Sequence, residues 1–167
     1  METGFSLGSN LGDRLLRLRQ AKTLLLLDSA VSLVGQSKVY ETEPVDVKAE
    51  FQQLKFLNAV LVIESPYSAE EWLPKIKRVE YLLKRERGED RNAPRTVDVD
   101  ILFSGDEIVD HDLLTVPHPR WAARRFVVQP LADVRPELRL PGADGPVQRI
   151  LERLPPGNDV RLFTKNW

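Results

Sequence analysis

The chain has 167 residues, of which 42% are hydrophobic and 29% charged, and its 24 basic and 25 acidic residues leave a formal net charge of −1. This balance argues against a protein whose whole surface attracts nucleic acid or membranes. The absence of cysteine excludes disulfides, zinc–thiolate sites and cysteine nucleophiles. We expect one soluble, cytoplasmic domain over residues 1–167, with no secretion signal and no membrane-spanning helix.

The order of the predicted elements indicates the fold class. Apolar periodicity and turn residues predict, in chain order, a short strand that begins at 4 and ends in a turn at 8–10, a helix at 13–28, strands at 31–40 and 56–63, a helix that begins with a capping box at Ser68 and ends near 84, and a strand at 96–103. The residues SGDEIV then predict a hairpin turn into another strand, and helices follow around 118–131 and at 147–154. This order is typical of the α+β, ferredoxin-like (split βαβ) fold, an antiparallel sheet with helices packed on one face, here with a C-terminal extension.

The segment RTVDVDILF places two carboxylates in a strand that is otherwise apolar. Alternate residues from Val97 to Phe103 form one apolar row, so Asp98 and Asp100 share the opposite face, with Cα atoms roughly 6.6 Å apart. Like charges on one face repel, and strands disfavour aspartate. One interpretation is an edge strand with both aspartates on its solvent-exposed face, where nearby arginines neutralise their charge. The other is a Mg²⁺ site that phosphate oxygens and water complete.

A charged segment with four arginines precedes this strand. They are Arg85, Arg87, Arg91 and Arg95. Guanidinium groups bind phosphate through paired hydrogen bonds, so such a segment beside two carboxylates suits a polyphosphate ligand. Acidic residues alternate with the arginines, and a solvated loop of mixed charge fits the same pattern.

Three further features are candidates for ligand contacts. His118 lies between two prolines in TVPHPRW, although a lone histidine is more often structural. Asn58 lies in the apolar strand FLNAVLVI, where a buried amide needs hydrogen-bond partners. Its donor and acceptor suit either a neighbouring loop or the edge of a nitrogen heterocycle. The tripeptide GSN at 8–10 reads as a turn that could offer backbone N–H groups to an anion.

Several segments of the chain together resemble one enzyme family. They are LGSNLGDR (7–14), VYETEPV (39–45), FLNAVLVIE (56–64), PRTVDVDILF (94–103), VPHPRWAARRFVVQPL (116–131) and the terminal NW. In this order they resemble the 6-hydroxymethyl-7,8-dihydropterin pyrophosphokinases of folate biosynthesis. The resemblance implies Mg²⁺-dependent transfer of the β,γ-diphosphate of ATP to the hydroxymethyl group of the pterin, with release of AMP.

The resemblance also implies a set of site residues. Asp98 and Asp100 would hold two Mg²⁺ ions, and Arg85 and Arg95 would stabilise charge on the transferred group. The further ATP contacts that it implies are Glu80, Arg87, Arg91, Thr115, His118 and Arg124. The pterin contacts that it implies are the amide of Asn58, backbone groups near Thr42 and Val45, and the rings of Phe56 and Phe126, which would stack on the heterocycle.

Two other classes of function fit parts of the pattern. A ferredoxin-like RNA-binding module would need exposed aromatic residues on a basic sheet face, whereas the strand at 96–103 is acidic. A metal-dependent nuclease could use the same two aspartates, but it gives no role to Asn58, Phe56 and Phe126. We therefore expect an enzyme that acts on small molecules as a monomer, with no nucleic-acid or membrane partner.

Overall fold

The computed structural model describes residues 1–44, 48–84, 96–157 and 159–167. The strands in these residues are β1 (Glu2–Ser9), β2 (Ser32–Gln36), β3 (Val39–Thr42), β4 (Phe56–Glu64), β5 (Asp98–Ser104), β6 (Val109–His111), β7 (Leu114–Val116) and β8 (Val160–Thr164). The helices are α1 (Arg14–Leu25), α2 (Ala69–Leu82), α3 (Arg125–Val134) and α4 (Val147–Arg153), with 3-10 turns at Ala49–Phe51 and Trp121–Ala123. None of the helices in these ranges is long and apolar enough to cross a lipid bilayer.

The main sheet is antiparallel and has the strand order β5-β1-β4-β3-β8. β2 pairs with β4 beyond the end of β3, so β2 and β3 follow one another along the same edge of β4. With α1 and α2 as the crossovers, this is the ferredoxin-like arrangement, which confirms the predicted fold class.

The single strand predicted at 31–40 is wrong, because the chain leaves the ladder between β2 and β3. Ser37 lies at this break, and its hydroxyl accepts the N–H of Val60 at 2.8 Å. The N–H of Ser37 donates to the carbonyl of Val60 at 2.9 Å. A side-chain oxygen thus replaces a backbone acceptor of the ladder, which lets the strand divide without leaving that buried amide unpaired.

Helices cover both faces of the sheet, and the expectation of helices on one face is wrong. Leu57 and Leu61 of β4 belong to the core beneath α1 and α2, whereas Val60 and Val62 belong to the core beneath α3 and α4. β4 is therefore buried on both sides, which explains its nearly continuous apolar sequence. The C-terminal helices supply the second layer.

A register shift between β1 and β5 changes the side on which Phe103 lies. Phe5 pairs with Ile101, but Gly4 pairs with Phe103. The ring of Phe103 therefore joins the core beneath α3 and α4 and lies over Gly4, where a Cβ would be only 2.1 Å from Cε1 of Phe103. The apolar row predicted from Val97 to Phe103 holds only as far as Ile101.

Other local predictions have mixed outcomes. The capping box of Ser68 and Glu71 is confirmed at the start of α2. The turn predicted after β5 is present, but β6 pairs with β7 instead of β5. The sequence pattern does not predict β8, an edge strand of five mostly exposed residues that pairs with β3.

Candidate active site

The register of three adjacent strands brings Asp98 and Asn58 onto one face of the sheet. Gly8 of β1 pairs with Asp98 of β5 on one side and with Asn58 of β4 on the other. Paired residues point to the same face, and two strand spacings amount to about 10 Å. Asp100 joins this face through its pairing with Ser6. The carboxylate pair and the amide therefore share one floor, with Gly8 at its centre.

Gly8 leaves the centre of this floor without a side chain. A Cβ at this position would lie 3.2 Å from Oδ1 of Asn58, 3.8 Å from Cδ1 of Phe56 and 4.0 Å from Cβ of Asp98. A flat ligand can therefore approach the backbone between these three side chains. The turn predicted at GSN (8–10) starts too early, because Gly8 and Ser9 still belong to β1. A glycine inside a strand is itself a signal for close approach of a ligand.

Asn58 is fixed by a buried hydrogen bond. Its Nδ2 donates to Oγ1 of Thr42 at 2.6 Å, and both residues are buried. Next to Thr42 on the same face, Tyr40 donates its hydroxyl to Asp133 of α3 at 2.8 Å. Thr42 was expected to offer backbone groups, and the structure shows that its side chain orients the amide of Asn58.

Asp98 and Asp100 are half-buried on β5. Among the described residues, no group of three or more His, Cys, Asp or Glu side chains could together hold a metal ion. Mg²⁺ is commonly bound in proteins by one or two carboxylates together with substrate phosphates and water. Two carboxylates on a rigid strand therefore fit Mg²⁺ that arrives with a phosphorylated ligand.

A pocket of about 280 Å³ adjoins Asp100. Thr115 and His118 contribute polar groups to its wall, and Ile76 and Ile101 contribute apolar surface. The pocket lies between α2, β5 and the β6–β7 hairpin. The structure thus brings three of the predicted site residues, Asp100, Thr115 and His118, together at a cavity lined by both apolar and polar side chains, the mixture that small-molecule sites commonly have.

His118 is held in a defined orientation. Its backbone N–H donates to the carbonyl of Leu102 at 2.9 Å, and its Nδ1 accepts the N–H of Arg120 at 3.1 Å. Burial, assisted by the positive charges of Arg124 and Arg120, lowers the pKa of His118 to about 4, against smaller opposing effects of a backbone hydrogen bond and of Asp98. The ring is therefore neutral near pH 7, and its proton lies on Nε2, which can donate a hydrogen bond to a ligand.

The remaining predicted residues differ in position. Arg124 and Phe126 lie together at the start of α3, with the guanidinium 5.5 Å from the ring centroid. Glu80 is buried in α2, does not line the pocket, and accepts the N–H of Val99 at 3.3 Å. The residues that lie outside the described ranges are Val45, Arg85, Arg87, Arg91 and Arg95.

Comparison with known proteins decides the family. Residues 4–136 match the family described as 7,8-dihydro-6-hydroxymethylpterin-pyrophosphokinase. The chain belongs to this family. The resemblance seen in the sequence is thereby confirmed, and with it the assignment to the pyrophosphokinases.

Individual relatives agree with this membership. The 2-amino-4-hydroxy-6-hydroxymethyldihydropteridine pyrophosphokinase of Bacillus subtilis is 42% identical over 129 residues, which cover 77% of this chain and 75% of the relative. The protein of the same name from Mycobacterium bovis is 37% identical, and the aligned residues cover 97% of this chain and 89% of that relative. A crystal structure of Plasmodium falciparum HPPK-DHPS with pteroate has a TM-score of 0.70 at 15% identity. It covers 91% of this chain but only 42% of that longer chain, and it supports the fold alone.

The low pKa of His118 predicts a specific pH dependence of stability. Between pH 4 and about 6.5 the unfolded chain binds a proton at this position that the folded protein does not, so the free energy of unfolding falls as the pH drops through this range. Replacing the residue (His118→Gln) should make this fall smaller. Urea denaturation of both proteins at pH 7 and pH 4.5 measures the difference. Equal losses of stability, or an NMR titration of the His118 ring near pH 6.5, would show that the ring is not held neutral.

Proposed function

We propose that this protein transfers the β,γ-diphosphate of ATP to the hydroxymethyl group of 6-hydroxymethyl-7,8-dihydropterin and releases AMP. The observation that carries this proposal is the row formed by Asp98, Gly8 and Asn58 on one face of the sheet. It joins a carboxylate pair suited to Mg²⁺ and phosphate with an amide suited to a heterocycle. Family membership and the names of the relatives support the same reaction.

The proposed step conserves atoms and charge without a covalent enzyme intermediate. The hydroxymethyl oxygen forms a bond to the β-phosphorus, and the bond from this phosphorus to the oxygen bridging to the α-phosphorus breaks. AMP leaves, and the hydroxyl proton passes to solvent. The protein contributes mainly by holding the two substrates in line and by stabilising charge.

At the nucleotide, the described residues supply orientation and hydrogen bonds. Asp98 and Asp100 would hold two Mg²⁺ ions, which when bound neutralise phosphate charge. The neutral ring of His118 donates from Nε2 to a phosphate oxygen, while Arg124 adds positive charge on the same side. Arg85 and Arg95 are proposed to stabilise the transferred group.

At the pterin, shape and hydrogen bonding select the substrate. The ring lies over the bare backbone of Gly8, and Asn58, oriented by Thr42, binds its polar edge. Phe56 at the start of β4 and Phe126 at the start of α3 stack on the ring. The hydroxymethyl group then points along the row toward Asp98.

The nature of the substrates bears on where the enzyme works and on whether it needs a partner. Both are small, soluble molecules, and the pocket and the floor are formed by the same chain. We therefore propose that the enzyme works in the cytoplasm, as a monomer, without a nucleic-acid or membrane partner.

The products of the reaction test the proposed function. The protein is mixed with Mg²⁺, ATP and the hydroxymethyl dihydropterin, and nucleotides are separated by chromatography. We expect AMP and the pterin diphosphate in equal amounts, formed only when all components are present. Formation of ADP, or no AMP above a protein-free control, would refute the proposal.

The two aspartates should be essential for turnover but not for folding. Asp98→Asn and Asp100→Asn each remove a negative oxygen ligand while keeping size, so AMP release should fall by at least about 100-fold. Thermal unfolding should stay close to that of the wild type. Asp106→Asn, a change to an exposed aspartate just after β5, is the matched control and should retain full activity. Near-normal activity of either site variant would contradict the metal assignment.

Gly8→Ala should weaken pterin binding more than ATP binding. The added methyl group would approach Oδ1 of Asn58 and the ring of Phe56, where the pterin is proposed to lie. We expect the KM for the pterin to rise by about tenfold, since one methyl group in a fitted site has effects of this size. Steady-state kinetics with each substrate varied in turn measure this. An unchanged KM for the pterin, or an equal rise for ATP, would place the pterin elsewhere.

A further inference from the structure

A buried carboxylate on α2 lies directly behind the two aspartates of β5. Glu80 is 3% exposed, and its neighbours on the same side of the helix, Ile76, Val79 and Leu83, are apolar and buried. Carboxylates are seldom buried unless they are hydrogen-bonded, because removing the charge from water is costly. We therefore expect the carboxylate of Glu80 to have a specific hydrogen-bond partner.

The contact of Glu80 with β5 falls between the two aspartates. Its Oε1 accepts the N–H of Val99 at 3.3 Å. In the described sheet β5 pairs with β1 alone, so its other edge has backbone groups that need partners from outside the sheet. Glu80 supplies such a partner at the residue that separates Asp98 from Asp100.

A second hydrogen bond joins the same helix end to the start of β5. Oγ1 of Thr96 donates to the carbonyl of Leu83 at 2.8 Å. Thr96 lies two residues before Asp98, and Val99 lies one residue after it. The backbone of Asp98 is therefore tied to the end of α2 on both sides.

We propose that Glu80 is a positioning residue that fixes the relative placement of the Asp98 and Asp100 carboxylates through the backbone of Val99, instead of contacting ATP. Side chains behind metal ligands orient those ligands, and their loss commonly costs about 10- to 100-fold in metal affinity or activity. This inference rests on the proposed function, because it concerns the same pair of aspartates.

Two variants of Glu80 separate positioning from nucleotide contact. Glu80→Ala removes the acceptor, whereas Glu80→Gln keeps an oxygen that can accept the N–H of Val99. For Glu80→Ala we expect the Mg²⁺ concentration for half-maximal AMP release to rise and kcat to fall, by about 10- to 100-fold together, with the KM for ATP at saturating Mg²⁺ within about threefold of wild type. Glu80→Gln should recover most of this loss. Defects of equal size in both variants, seen as a raised KM for ATP, would show direct contact with the nucleotide and overturn the proposal.

A measurement on the metal-free protein tests the hydrogen bond itself. The amide of Val99 should exchange its hydrogen more slowly in the wild type than in Glu80→Ala, as followed by NMR. Val79→Ala, which truncates a buried neighbour on α2, is the matched control. It should lower the melting temperature without changing the Mg²⁺ dependence of the reaction. Unchanged exchange at Val99 in Glu80→Ala, or a Mg²⁺ dependence shifted equally in the control, would overturn the positioning role.

Two further measurements apply if Glu80→Ala does not fold or if the wild type forms no AMP. If Glu80→Ala does not fold, Thr96→Val removes the hydrogen bond to the carbonyl of Leu83 on the other side of Asp98. This variant should raise the Mg²⁺ concentration needed for half-maximal AMP release. An unchanged Mg²⁺ concentration would overturn the proposal. If the wild type forms no AMP, the proposed function fails. In that case the role of Glu80 is still tested by comparing the wild type with Glu80→Ala in two measurements, the affinity for Mg²⁺·ATP by calorimetry and the hydrogen exchange of the Val99 amide.

Discussion

The site depends on one constraint, the pairing of Gly8 with a residue of β4 on one side and a residue of β5 on the other. Gly8 lies between Asp98 and Asn58, and the antiparallel register of β1 with β5 and β4 fixes all three on one face. A slip of one residue in either ladder would turn an aspartate or the amide into the core beneath α1 and α2. The geometry of the site is therefore a property of the sheet, set before any ligand binds.

This arrangement explains why acidic residues are tolerated on a strand. The carboxylates of Asp98 and Asp100 repel one another, and that cost is offset by the rest of β5. Val99 and Ile101 are buried in the core on the opposite side, and hydrogen bonds from the Thr96 hydroxyl and the Val99 N–H join this segment to the end of α2. Packing and hydrogen bonds hold the strand in place although the two carboxylates repel one another in the free protein. Bound Mg²⁺ with a polyphosphate would relieve that repulsion.

Much of the frame was predictable from the sequence, because its signals are local. Alternation placed both aspartates on one side of a strand, and the capping box of Ser68 and Glu71 located the start of α2. The amide of Asn58 in an apolar strand indicated a specific partner, although the partner, Thr42, lies on another strand. The family resemblance supplied the reaction, which residue spacing alone left open.

The features that sequence reasoning missed depend on tertiary contacts. The break at Ser37 depends on a hydrogen bond to Val60, and the turn of Phe103 to the other face follows from a register shift against Gly4. The neutral state of His118 requires burial beside arginines that come later in the chain. No local pattern contains these facts, since each joins residues from different elements.

The central claim is that one sheet face holds the pterin and the diphosphate donor side by side. A crystal structure of the protein with Mg²⁺, a non-hydrolysable ATP analogue and the hydroxymethyl pterin tests it most directly. We expect the pterin over Gly8 with its edge at Asn58, and metal ions bound by Asp98 and Asp100 together with phosphate oxygens. A pterin bound on another surface, or phosphates held away from both aspartates, would contradict it.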